Sequence, residues 1–81
     1  MLTVYSKNNC PFCDRAKQLL ESKGVEYIEV NIEKDSESRQ MLVDQGLRSV
    51  PQIFYGYELI PGGFDGLNKQ PAEFFNKIKG S

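Results

Sequence analysis

The chain has 81 residues, 40% of them hydrophobic, enough for one small domain with a modest core. A formal net charge of -1 argues against bulk electrostatic binding to nucleic acid or acidic membranes, and the absence of histidine removes the usual general base and the usual transition-metal ligand. No apolar run approaches membrane-span length and the N-terminus lacks a signal-peptide pattern, so the expected location is the cytoplasm, a reducing compartment.

Residues 2–5 read as a first strand, and residues 6–9 as a polar loop. The helix that follows places Phe12, Ala16, Leu19 and Leu20 on one face, and Gly24 stops it. Residues 27–32, rich in β-branched and aromatic side chains, form a second strand. Ser36 caps a second helix running to about Gln45, with Met41 and Leu42 inward and Gly46 as its stop. Residues 52–55 and 58–60 pair as a hairpin through Gly56-Tyr57. A last helix begins near Phe64, is broken or restarted by Pro71, and buries Phe74, Phe75 and Ile78.

The order is β-α-β-α-β-β-α: an α/β fold with a four-stranded mixed sheet and helices on both faces. The βαβ portion implies a right-handed crossover and parallel pairing of the first two strands. One domain is expected over residues 1–79, with Gly80-Ser81 as a C-terminal end.

The chemistry concentrates at Cys10-Pro11-Phe12-Cys13, which holds both cysteines of the chain. Two cysteines without histidine cannot close a four-ligand zinc site without carboxylates or a second subunit, and a structural disulfide suits a reducing compartment poorly. Two buried structural cysteines remain an alternative. The strand-to-helix setting favours a dithiol redox site, because N–H groups free at the helix start and the helix dipole stabilise a thiolate at Cys10. Pro11 fits a first helical turn, where its missing N–H has no partner to lose. Cys10 is therefore expected to titrate in the range of about 3.5–7.5 known for such thiols, with Cys13 more buried and less reactive.

Three segments together carry a resemblance: Lys7-x-x-Cys10-Pro11-Phe12-Cys13, then Ser49-Val50-Pro51-Gln52-Ile53-Phe54, then Gly62-Gly63-Phe64-Asp65. In this order and near this spacing they resemble the signatures of a dithiol glutaredoxin, a member of the thioredoxin-like superfamily. The resemblance covers almost the whole chain and implies the minimal thioredoxin-like fold. Gly-Gly-Phe-Asp is also similar to thioredoxin-like proteins of bacteriophages, whose proteins act in a host cytoplasm.

The resemblance implies roles residue by residue. Cys10, the exposed member of the pair, is the catalytic nucleophile, and Cys13 resolves the mixed disulfide it forms. Glutathione contacts fall to Lys7, Phe12, Ser49, Val50, Pro51, Gly63, Phe64 and Asp65. Val50-Pro51 corresponds to the family's cis-proline loop, whose backbone pairs with an extended peptide; a trans proline that opens a strand is the bland reading. Asp65 and N–H groups at the helix start hold the γ-glutamyl end of glutathione; the bland reading is a glycine turn with an acidic first-turn residue. The sequence departs from the family where Pro61 adds a residue before the glycine pair. It departs again where Ser38 stands in place of a basic or amide residue, which Arg39 would replace by leaning in.

Three functions follow from the resemblance. The first is a glutathione-dependent thiol–disulfide oxidoreductase acting on protein disulfides and glutathione mixed disulfides, with glutathione as co-substrate, no metal, and the chain a monomer. The second is a glutaredoxin-like electron donor, for example to ribonucleotide reductase, reduced by thioredoxin reductase. The third is an iron–sulfur carrier, a role that monothiol motifs favour more than Cys-Pro-Phe-Cys.

Overall fold

Strand β1 (Leu2–Ser6) buries Leu2, Val4 and Ser6 and leaves Thr3 and Tyr5 half-buried, the period of two that puts alternate side chains on opposite faces of a sheet. The structure is a computed structural model that describes residues 1–79; the expected C-terminal end at residues 80–81 lies outside the described residues. The remaining elements are α1 (Pro11–Ser22), β2 (Tyr27–Asn31), α2 (Ser36–Asp44), β3 (Gln52–Tyr55), β4 (Glu58–Ile60), α3 (Gly63–Asn68) and α4 (Ala72–Lys79). The strands lie in the order β2-β1-β3-β4. β1 and β2 are parallel; β1 with β3 and β3 with β4 are antiparallel. This is the expected mixed sheet, with the expected hairpin at its edge.

Register decides which side chains meet. Val4 lies beside Ile53, and Ile53 beside Ile60. These residues and Leu2 form one face, covered by Ala16 and Leu20 of α1, Leu67 of α3, and Phe75 and Ile78 of α4. Removing this apolar area from water is the main favourable term in such a small fold. The opposite face carries Tyr5 edge-on to Phe54, with ring centroids 5.5 Å apart. Helix α2 contributes nothing to the main cluster and buries Leu42 separately.

Local chemistry sets the helix ends. At the C-terminus of α1, Gly24 (φ 69°) allows its N–H to reach the Glu21 carbonyl at 3.1 Å and the Val25 N–H to reach the Leu20 carbonyl at 2.9 Å. That paired reversal satisfies two carbonyls the helix leaves open. Helix α2 ends the same way at Gly46.

Several details differ from expectation. The cap of α2 is Asp35 rather than Ser36, because the Asp35 carboxylate accepts from both the Ser38 N–H and the Ser38 hydroxyl. Met41 is only half-buried. Pro71 divides the last helix into α3 and α4, as a residue without an N–H that follows a helix end. Phe75 and Ile78 are buried, but Phe74 is half-buried.

One polar link joins three elements. The Glu29 carboxylate on β2 accepts from the Ser6 hydroxyl at 2.8 Å and from Lys17 on α1 at 2.8 Å. Lys17 also lies 3.4 Å from Asp14. The hydrogen bond from Lys17, then that from Ser6, holds the Glu29 carboxyl below its ordinary value. The same bond to Glu29 chiefly holds Lys17 above its own.

Glu29 therefore adds stability above its ordinary pKa of 4.5 and loses it as pH falls through its lower folded value. Lys17 adds stability below its ordinary 10.5 and loses it as pH rises through its higher folded value. The Glu29 side chain is 39% exposed, so solvent screening limits the effect. Glu29→Gln is expected to cost about 0.2–1 kcal/mol at pH 7. Urea unfolding of both proteins across pH should show that difference shrinking below pH 4.5.

Candidate active site

A three-residue loop, residues 7–9, carries the chain from β1 to α1. It turns at Asn9, whose φ of 55° is one that asparagine tolerates better than most residues. Cys10 then takes an extended conformation as the N-cap of α1, with Pro11 just inside the helix. Its sulfur accepts the Cys13 N–H at 3.2 Å, so a donor with no partner inside the helix is aimed at sulfur. Cys10 and Cys13 are joined as a disulfide across a Cα separation of 5.2 Å.

Cys10 was expected to be the exposed member of the pair. It is the less buried of the two, but at 7% exposure against 1% for Cys13 it is itself largely covered. The cover includes the segment before β3: the Cys10 sulfur lies 3.9 Å from the Val50 carbonyl oxygen. The Val50-Pro51 peptide bond is cis, as expected. Gln52 braces this turn, its side-chain amide donating to the Ser49 carbonyl at 2.8 Å.

Beside the disulfide runs a cleft of about 520 Å³. Of the expected residues, Phe12, Ser49, Val50, Pro51, Gly63, Phe64 and Asp65 line it. Phe12 shares the helical period of Ala16 and Leu20, yet it is 51% exposed, whereas those two are fully buried. In the first turn of α1 it points over the cleft toward Phe64, with ring centroids 6.2 Å apart, and the Arg15 guanidinium covers its ring at 5.1 Å. Leu47, Gln52, Leu59, Pro61 and Gly62 complete the lining without having been singled out as contact residues. Leu59 reaches the cleft because it pairs with Phe54 on the face away from the main cluster, a register that alternation alone does not determine.

Two expected cations stand outside. Lys7 is exposed and does not line the cleft. Arg39 does not lean in; it borders a separate groove of about 170 Å³ with Leu47, Arg48 and Ser49. Ser38, beside it, is turned back to Asp35 at the start of α2. The groove and the cleft share Leu47 and Ser49, so Arg39 and Arg48 border a groove that adjoins the cleft. Arg48 had no signal in the sequence beyond its place next to Ser49.

Residues 2–60 match the glutaredoxin family model. The chain belongs to the glutaredoxin family. It is 47% identical over 66 residues to a probable glutaredoxin of Synechocystis, covering 79% of this chain and 60% of that relative. Glutaredoxin 3 of Escherichia coli is 43% identical over 65 residues, covering 79% of this chain and 77% of that protein.

Among solved structures, the buckwheat glutaredoxin–glutathione complex matches with a TM-score of 0.71 at 30% identity, covering 96% of this chain and 70% of that one. The glutaredoxin-like protein NrdH-redoxin of Escherichia coli, known for a thioredoxin-like activity profile, matches with a TM-score of 0.74 at 25% identity, covering 95% of this chain and 92% of that one. With its paired cysteines, this family member is a thiol–disulfide oxidoreductase.

Around Pro61 the backbone approaches itself closely. The Gly66 N–H donates to the Gly62 carbonyl at 3.0 Å, and a Cβ on Gly66 would lie 1.7 Å from the Pro61 carbonyl oxygen. No side chain fits there without moving the loop that walls the cleft. Gly66→Ala is expected to cost about 1–3 kcal/mol, the range for overpacking. Chemical denaturation measures that cost, and a heteronuclear NMR map should show shifts at residues 61–65.

Proposed function

We propose that the protein is a glutathione-dependent thiol–disulfide oxidoreductase, acting as a monomer in the cytoplasm on protein disulfides and glutathione mixed disulfides. The observation that carries this reading is the Cys10 sulfur at the start of α1, hydrogen-bonded by Cys13 N–H and 3.9 Å from the carbonyl of Val50, which lines the neighbouring cleft. Polar groups in and beside the cleft suit glutathione. Asp65 lines it, matching an α-amine, and α3 begins beside it. Arg39 and Arg48 border the adjoining groove, matching a terminal carboxylate. Val50 lines the cleft too and holds its carbonyl oxygen 3.9 Å from the Cys10 sulfur. The likeness to a buckwheat glutaredoxin solved as a glutathione complex supports glutathione as the ligand.

The chemistry follows thiol–disulfide exchange. The Cys10 thiolate attacks the glutathione sulfur of a mixed disulfide. The old S–S bond breaks, the protein thiolate leaves, and Cys10 carries the glutathionyl group. A second glutathione thiolate attacks that group, giving oxidised glutathione and free Cys10. With a protein disulfide, Cys10 first forms a mixed disulfide with the partner. The Cys13 thiolate then attacks the Cys10 sulfur and releases the partner's second thiolate. Two glutathiones reduce the resulting Cys10–Cys13 bridge.

A second reading is an electron donor reduced by thioredoxin reductase. The likeness to NrdH-redoxin favours it, as does the placement of Arg39 outside the cleft.

Two variants separate the two cycles. Cys10→Ser should lose at least about a thousand-fold on both substrate types, because a hydroxyl without a neighbouring base does not replace a thiolate. Cys13→Ser should stay within about ten-fold of the parent on a glutathione mixed disulfide yet fail on a protein disulfide. Steady-state rates of both variants on both substrates are the measurement. Equal loss of the two activities in the Cys13 variant would rule out the single-cysteine cycle and favour the reductase-coupled donor.

A further inference from the structure

Two residues before Cys10, the chain is fastened to the end of β2 by a closed ring of three hydrogen bonds. The Asn8 N–H donates to the Glu33 carboxylate at 2.6 Å. The Glu33 N–H donates to the Asn31 side-chain oxygen at 2.9 Å. The Asn31 side-chain nitrogen donates to the Asn8 side-chain oxygen at 2.8 Å. Each residue gives one proton and accepts one. The ring's base is itself anchored, because the Asn31 carbonyl accepts the N–H groups of Lys34 at 3.0 Å and Asp35 at 3.1 Å.

We infer that Asn8, Asn31 and Glu33 form a positioning clasp that sets the Cys10 sulfur at the start of α1. The inference rests on the reading of Cys10 as nucleophile. Among the described residues of the loop, Asn8 alone makes side-chain-mediated hydrogen bonds to another element; Lys7 and Asn9 make none. Between Asn8 and Cys10 stands only Asn9, already in a left-handed turn. A change in the path of Asn8 therefore passes to Cys10 through a single residue. The readable consequence is the alignment of the Cys10 sulfur with the Cys13 N–H. These bonds are exposed, so each contributes modestly to folding. Their effect is on where the sulfur sits, because each link of the ring orients the next. Asn8, Asn31 and Glu33 touch no reacting atom and act through Cys10.

Charge and position are separable at Glu33. Glu33→Gln removes the charge but keeps an oxygen to accept the Asn8 N–H. Glu33→Ala removes both, so the two variants differ in the clasp and not in charge. The measurement is alkylation of the reduced protein by iodoacetamide across pH, with Cys10 followed by peptide mass spectrometry.

In the parent the Cys10 midpoint should fall below the ordinary thiol value of about 8.5. Glu33→Ala and Asn31→Ala should raise the parent's midpoint by about half a unit, a loss of about three-fold in thiolate below it. Glu33→Gln should stay at or below the parent. Glu33 is exposed, so its alanine variant carries the test if Asn31→Ala does not fold.

A folded Glu33→Ala protein whose profile overlays that of Glu33→Gln overturns the clasp while leaving the function intact. A parent midpoint near 8.5 instead overturns the reading of Cys10 as an activated nucleophile, and the clasp with it.

Discussion

The hydrogen bond from the Cys13 N–H to the Cys10 sulfur is the contact on which the rest of this molecule turns. A helix leaves its first N–H groups without internal partners, and here one of them is directed at the sulfur proposed as nucleophile, which reacts as a thiolate. The bond exists only if α1 starts immediately after Cys10. That in turn needs β1 to end at Ser6, the loop to reverse at Asn9, and Pro11 to open the helix. An element that shifted by one residue would turn the sulfur away from its donor.

The packing holds α1 in that position from below. Ala16 and Leu20 seat the helix on the sheet face formed by Leu2, Val4, Ile53 and Ile60. Lys17 pins its flank to Glu29, which also takes the hydroxyl of Ser6 at the end of β1. The antiparallel pairing of β3 with β1 brings Val50 beside the same sulfur, since Gln52 lies opposite Tyr5. Cys10 and Cys13 at the start of α1 and Val50 before β3 are thus brought together from two segments by one sheet register.

Much of this was legible in the residues. Period-two alternation and β-branched runs located the strands, glycines marked the ends of α1 and α2, and Cys10-Pro11-Phe12-Cys13 at a strand-to-helix turn located the site. What the sequence did not reveal depends on long-range placement. Phe12 satisfies the helical period of the buried face, but in the first turn it has the cleft and Phe64 to face instead of the core. Arg39 was given a role by counting along the chain, whereas the turn of Ser38 back to Asp35 and the course of α2 leave it in the neighbouring groove. Leu59 joins the site through the β3–β4 register, and Leu47 and Arg48 stand beside Ser49 with no chemical pattern that marks them.

In the proposed cycle glutathione is the reductant that restores Cys10. The direct measurement is turnover of a glutathionylated peptide by the purified protein, with glutathione plus glutathione reductase in one arm and thioredoxin reductase in the other, each driven by NADPH. A glutathione-restored Cys10 should give sustained turnover with glutathione and little with thioredoxin reductase. Turnover that requires thioredoxin reductase and is absent with glutathione would contradict it.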